Sequence, residues 1–191
     1  MQKVKKQMLP FLAGVMALCS CATSGWLFSA TKYDFRTARI TTRGYAAKRP
    51  VRTTLAIECA PGKDGAVTLN YTVFGAGKIE GFDFDAFECP YAPASLVKLA
   101  DIDVVTQSGT AKYQTAIAGS YTGADDFSFS VSAMNKDRSV VRTIAETLAA
   151  GADRIVITVH DMKNRSATVR TEFPAGDAGA AVGKAIRGCC R

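Results

Sequence analysis

The sequence has little of what most recognisable enzymes carry. Its 191 residues hold one histidine, His160, and one tryptophan, Trp26. A single imidazole without a cysteine cluster cannot assemble the usual tetrahedral zinc set. There is no Cys-x-x-Cys, which removes the dithiol oxidoreductase signature, and no Gly-x-Ser-x-Gly nucleophile turn. Gly75-Ala-Gly77 lacks the third glycine of a dinucleotide fingerprint, and no phosphate-binding Gly-Lys-Ser/Thr loop occurs. The acidic positions Asp83, Asp85, Glu88, Asp101, Asp103, Asp125 and Asp126 do not have the spacing of a calcium loop, and alternate aspartates on a strand describe a solvated face. No apolar run approaches the roughly 20 residues of a membrane-spanning helix. With 16 glycines and 6 prolines the chain is neither collagenous nor of low complexity, and 48% hydrophobic residues suffice for the core of one domain. No metal and no cofactor is expected.

What is present begins with address signals. Lys3, Lys5 and Lys6 precede the mostly apolar stretch from Met8 to Leu18, a basic n-region and a short h-region of the kind that directs export. The following Leu18-Cys19-Ser20-Cys21 resembles the bacterial lipobox, although Cys19 is an unusual occupant of its position. That resemblance implies a signal peptide over residues 1–20, cleavage before Cys21 and acylation of Cys21, giving an anchor of several chains. Ala22 in place of Asp after that cysteine implies delivery to the outer membrane, facing the periplasm. The alternative is an ordinary cleaved signal and a soluble periplasmic protein.

The formal charge of +7 is not evenly spread. Three lysines belong to the export signal. Lys32, Arg36, Arg39, Arg43, Lys48, Arg49 and Arg52 then stand against the single acid Asp34, while residues 53–103 are net acidic. The basic segment therefore lies just beyond the expected anchor. Arg36, Arg39, Arg43, Lys48, Arg49 and Arg52 are the candidate contacts for an anionic partner: anionic lipid, lipopolysaccharide or another envelope protein. A solvated strand face is the plainer alternative, and nucleic acid is not expected for an exported chain.

Along the chain, residues 21–35 read as a tether whose Trp26, Leu27 and Phe28 either dock on the domain or meet the lipid interface. A single β-rich domain is expected over 36–191. Alternation predicts a strand over Thr37 to Tyr45, a hairpin from Thr53 to Cys59 and Ala66 to Phe74 across Pro61-Gly-Lys-Asp-Gly65, and a fourth strand from Lys78 to Asp85. Cys89-Pro-Tyr-Ala-Pro93 is irregular, and Leu96 to Val105 is ambiguous. Ala111 to Ala118 and Phe127 to Ala133 are further strands. Val140, Val141, Ile144 and Leu148 recur at helical spacing, which predicts a helix near 139–150 capped by Asp137 or Ser139 and stopped by Gly151. Arg154 to Val159 and Ala167 to Phe173 form another hairpin, and a terminal helix is expected near 178–187. The fold class is thus mainly-β or α+β, an antiparallel sheet or sandwich with two helices packed on it.

Cys59 and Cys89 some thirty residues apart, the Leu148-Ala-Ala-Gly-Ala-Asp-Arg-Ile-Val turn from helix to strand, and Thr171-Glu-Phe-Pro-Ala-Gly-Asp-Ala-Gly-Ala-Ala leading into the last helix are similar to the invasion-associated locus B family of exported proteobacterial proteins. The resemblance covers roughly the C-terminal half and implies a small β-rich envelope protein without known catalytic residues. The lipobox, the basic N-terminal strand and the Cys189-Cys190 pair depart from it.

Export places Cys59, Cys89, Cys189 and Cys190 in an oxidising compartment, where disulfides are expected. Three full pairings are possible. Cys59 with Cys89 is favoured; the terminal pair stapling the last helix to the domain and a strained, redox-labile vicinal bond between Cys189 and Cys190 are the other arrangements. His160 beside Asp161 is the one side-chain pair with acid–base potential, so a periplasmic enzyme using His160 and Asp161 is the runner-up to a non-enzymatic outer-membrane lipoprotein with a binding or assembly role. Intact mass of the membrane-extracted chain under non-reducing conditions is expected to show an acylated N-terminus at Cys21 and oxidised thiols; an unmodified terminus after Ser20, or thiols that are all free, contradicts this reading.

Overall fold

The computed structural model describes residues 25–31, 35–60, 66–88, 97–131 and 138–189. Ten strands lie within them: β1 (Leu27–Ala30), β2 (Arg36–Ala46), β3 (Arg49–Ala60), β4 (Ala66–Val73), β5 (Lys98–Thr106), β6 (Gly109–Ala116), β7 (Ala118–Thr122), β8 (Asp126–Val131), β9 (Arg154–His160) and β10 (Thr168–Pro174). The helices are α1 (Arg138–Gly151) and α2 (Ala178–Ile186). The expected mainly-β, antiparallel class with two helices holds. The strands form one curled sheet rather than two stacked ones, in the order β6-β5-β9-β10-β2-β3-β4-β8-β7 with β1 against β2.

Two local features produce the curl. β6 and β7 stand at opposite ends of the strand order, yet only the buried Ile117 separates them. Because consecutive Cα atoms are about 3.8 Å apart, the two edges of the sheet must meet at this corner. The other feature is a split along β2. Its first half pairs with β1 (Leu27 opposite Arg39, Ala30 opposite Arg36), and β10 joins it only at the far end, through Tyr45–Arg170 and Ala46–Val169. At that joint Gly44 faces the interior. A Cβ on it would lie 1.9 Å from Thr171 Oγ1 and 2.8 Å from the Arg170 carbonyl oxygen, so only glycine lets β10 cross so closely.

The interior face explains the alternation. Ala38 and Ile40 of β2, Leu55, Ile57 and Cys59 of β3, Val67, Leu69, Tyr71 and Val73 of β4, and Phe127, Phe129 and Val131 of β8 are all buried. Helix α1 adds Val141, Ile144, Ala145 and Leu148 from one stripe. It packs on α2, and α2 packs on β1, β2 and β3. The Tyr71 hydroxyl is 2.7 Å from Thr171 Oγ1, which supplies a partner for two polar groups at the centre of the core. Burial there pushes the Tyr71 hydroxyl far above its ordinary pKa of 10.0, so it stays protonated.

Four expectations change. Lys78 to Asp85 is not a strand. Phe82, Phe84 and Phe87 plug the core against Phe127 and Phe129, with ring centroids 5.2 to 6.4 Å apart, and short 3-10 turns at Ala76–Lys78 and Asp85–Phe87 hold the segment off the ladder. Left-handed backbone at Gly75 and Gly81 permits those bends. The strand expected over Ala111 to Ala118 breaks at the Ile117 corner. The tether expected over 21–35 contains β1, and of the two placements considered for Trp26, its side chain takes docking on the domain, 8% exposed. Finally, Cys59 pairs with Cys189 and not with Cys89, across a separation of 130 residues and a Cα–Cα distance of 6.1 Å. The reason is tertiary: α2 lies on β3, which delivers Cys189 to the end of that strand. Cys89, Cys190, the turn at 61–65 and the side chains of the expected helix caps lie outside the described residues.

Substituting Gly44 by alanine forces a methyl into the β2–β10 joint. Overpacking of this kind costs about 1–3 kcal/mol, and the 1.9 Å approach puts this site at the upper end. Chemical denaturation of Gly44→Ala beside Gly179→Ala, an intermediate position with its nearest neighbour at 3.1 Å, is expected to show the larger loss at Gly44.

Candidate functional site

The β2–β3 pairing decides where the basic segment points. With Ala38 and Ile40 facing the core, Arg39, Thr41, Arg43 and Tyr45 face outward, and on β3 so do Arg52, Thr54, Ala56 and Glu58. Arg43 is directly opposite Arg52, and Arg39 stands between Ala56 on β3 and Leu27 on β1. Cross-strand neighbours on one face have Cβ atoms about 5 Å apart, where two like charges repel. The Arg52 guanidinium rests 4.0 Å from the Phe74 ring centre, and β10 adds Arg170 beside Tyr45. Neither Arg39, Arg43 nor Arg170 has a carboxylate partner among the described residues.

The other three predicted cations do not join this face. Arg36 donates to the Arg187 carbonyl beyond α2. Lys48 occupies the two-residue turn between β2 and β3, where Ala47 and Lys48 both have positive φ (46° and 70°), the backbone of a tight hairpin. Arg49 pairs with Glu80 at 3.6 Å with both side chains mostly in solvent, a contact of little energetic weight. Arg170 and Phe74 were not expected in the site. Arg170 lies more than 110 positions from the other arginines of the face, and its only signal is an outward position in the alternation of β10.

Beyond the arginines the outer face is hydroxylated. Thr41, Thr54, Thr72, Ser128 and Ser120 stand in one cross-strand row, with Oγ atoms 2.7 Å apart at Thr41–Thr54 and 3.1 Å apart at Thr72–Ser128. The row runs into an open depression of about 270 Å³ lined by Asn70, Ser120, Thr122, Ser128 and Ser130, with Ala118 and Gly119 also at its wall.

His160 and Asp161 do not form a pair with each other. His160 Nε2 is 2.7 Å from Asp101 Oδ2 and its Nδ1 is 3.1 Å from the Arg165 carbonyl oxygen, while Gln114 Nε2 donates to the other oxygen of Asp101 at 2.9 Å. Asp161 is buried and points elsewhere. Its Oδ1 accepts the backbone N–H groups of Lys163 and Asn164, each at 2.8 Å, and its Oδ2 accepts the N–H of Asp83 at 2.7 Å. Its carboxylate thus shapes the β9–β10 loop and ties the aromatic plug to it. His160 ends β9 with its ring toward β5, whereas Asp161 opens the following loop, which is why the two acquire separate partners.

Asp125, Asp126 and Asp85 are also engaged. Lys78 reaches Asp125 at 2.6 Å, Gly75 N–H donates to Asp126 at 2.8 Å, and the Tyr121 hydroxyl donates to Asp85 at 2.9 Å. Partial burial, reinforced by that carboxylate, pushes the Tyr121 hydroxyl up to about 12. Among the described residues no cluster of three or more His, Cys, Asp or Glu side chains is placed to hold a metal ion, and no helix is long and apolar enough to cross a membrane. No protein-family model, curated protein or solved structure matches the chain.

The Lys163 ammonium, 2.8 Å from Asp83, holds that carboxyl below its ordinary value of 3.8. A carboxylate with a depressed native pKa contributes stability that is complete above the unfolded value and is lost as pH falls through the native one. Between pH 4 and pH 2.5 the thermal midpoint of the wild type is therefore expected to fall more steeply than that of Asp83→Asn. Parallel curves for the two proteins would show that this ion pair does not couple the plug to the loop.

Proposed function

We propose that the protein is a lipid-anchored module of the bacterial envelope, held through Cys21 on the periplasmic side of the outer membrane, whose β-rich domain binds an anionic component without catalysing a reaction. The observation that carries the binding reading is the outward cross-strand pair Arg43–Arg52, flanked by Arg39 and Arg170. Like charges directly opposite each other weaken a sheet, and an anion seated between them removes the repulsion and gains two guanidinium donors. The lipobox-like Leu18-Cys19-Ser20-Cys21 supports the location, and a soluble periplasmic protein, as the invasion-associated locus B resemblance implies, is the alternative. An enzyme reading would have to rest on His160 with Asp101 rather than with Asp161.

Arg43→Glu separates binding from folding, because it replaces a repulsive cross-strand pair with an attractive one. The variant is expected to be as stable as the wild type or more stable by about 0.5 kcal/mol. Its retention on anionic vesicles or lipopolysaccharide at 0.1 M salt should nevertheless drop about tenfold, a loss of roughly 1.4 kcal/mol. Lys184→Glu on α2, which reverses the same charge on another element, is the control. Equal retention of both variants and the wild type sinks the proposal.

A further inference from the structure

The body of the protein begins almost at the expected anchor. The Trp26 indole N–H donates to the Pro174 carbonyl oxygen at 2.9 Å, its backbone N–H donates to Asp177 Oδ2 at 3.2 Å, and its ring is buried. A Cβ on Gly25 would already stand 3.1 Å from that same carboxylate oxygen. From Leu27 the chain is a strand of the sheet. Five residue steps separate Cys21 from Trp26, and even fully extended they span only about 17 Å. A domain leashed so closely to acyl chains cannot stand clear of the headgroups, so one of its faces must meet them.

The surface near the leash has the composition for that contact. The large hydrophobic side chains exposed among the described residues are Leu27 (62%), Phe28, Phe35, Tyr45 (59%), Val97 and Met162, and the first four lie on or beside β1 and β2. Leu27 is opposite Arg39, and Tyr45 lies between Arg170 and the end of β3, two positions from Arg43. Aliphatic and tyrosyl groups among arginines suit the boundary between headgroups and acyl chains, where the apolar parts leave water and guanidinium groups meet phosphate. The opposite side of the sheet is covered by α1 and α2.

We propose that the outer face of β1, β2 and β3, through Leu27, Arg39, Arg43, Tyr45 and Arg52, lies flat on the anionic phospholipid surface of the membrane that carries the anchor. The inference rests on the acylation of Cys21. It makes the phospholipid headgroup layer the anionic component that the arginines bind.

The test uses the acylated full chain in vesicles of anionic phospholipid with brominated acyl chains, which quench nearby indoles. Tyr45→Trp places a reporter on the outer face, and Ala150→Trp places one on the exposed side of α1. Tyr45→Trp is expected to lose at least half of its added fluorescence and shift to the blue, whereas Ala150→Trp is expected to keep its intensity. Adding Arg43→Glu to Tyr45→Trp should reduce that quenching severalfold. Flotation with the vesicles and intact mass are read on the same samples. A chain that neither floats nor carries acyl groups overturns the anchoring and this inference together. A chain that floats and is acylated, with Tyr45→Trp unquenched or Ala150→Trp quenched equally, overturns this inference alone. Quenching that appears only when lipopolysaccharide is included overturns the phospholipid assignment in favour of sugar phosphates.

Discussion

The close passage of β10 over Gly44 is the constraint on which the rest of the architecture depends. With no side chain at that position, Thr171 drops against β2 and reaches the Tyr71 hydroxyl in the middle of the core. Tyr71 in turn stacks near Phe129 and meets Phe173 edge-on, each with ring centroids 6.0 Å apart. One missing methyl thus joins two half-sheets, β6-β5-β9-β10 and β2-β3-β4-β8-β7, whose ladder at this joint has only two residue pairs. The gap they leave along β2 is occupied by β1 and closed by α2, and the Cys59–Cys189 link secures that closure. In the chain-entropy view a cross-link spanning so long a loop restricts the unfolded ensemble by several kcal/mol.

The same geometry sets the outer face. Because β2 gives its interior positions to Ala38, Ile40, Gly44 and Ala46, every second residue between them faces outward, and those residues include Arg39, Arg43 and Tyr45. β3 must then present Arg52 opposite Arg43, since the two-residue turn at Ala47 and Lys48 fixes the register. The arginine face is therefore a by-product of burying the alternate residues of β2.

Much of this was legible. α2 spans Ala178–Ile186, where a terminal helix was expected, and the hairpins flanking residues 61–65 and 161–167 follow from two-residue alternation. The Lys78 to Asp85 stretch misled because Phe82-Asp-Phe-Asp85 has the period of a strand, while left-handed Gly75 and Gly81 on either side of the first turn remove it from the ladder. Of the six predicted cations, Arg39, Arg43 and Arg52 share a face. Arg36, Lys48 and Arg49 are diverted by a carbonyl, a turn and a glutamate, none of which their neighbours in sequence announce. A glycine inside the β2 pattern was the available sign of a close backbone approach, but its partner is 127 positions away.

By itself the sequence determined most of the elements and their buried faces, because periodicity is a local property that burial of one face imposes on each strand or helix separately. It also determined where the positive charge is concentrated. Only the tertiary structure decided that the first and last strands of the path meet at Ile117, that Cys59 takes Cys189, that His160 belongs to Asp101, and that Trp26 docks on the Pro174 carbonyl. Each of these joins residues far apart in the chain or assigns a side chain to one of two faces, and such choices are made by packing among all the elements at once.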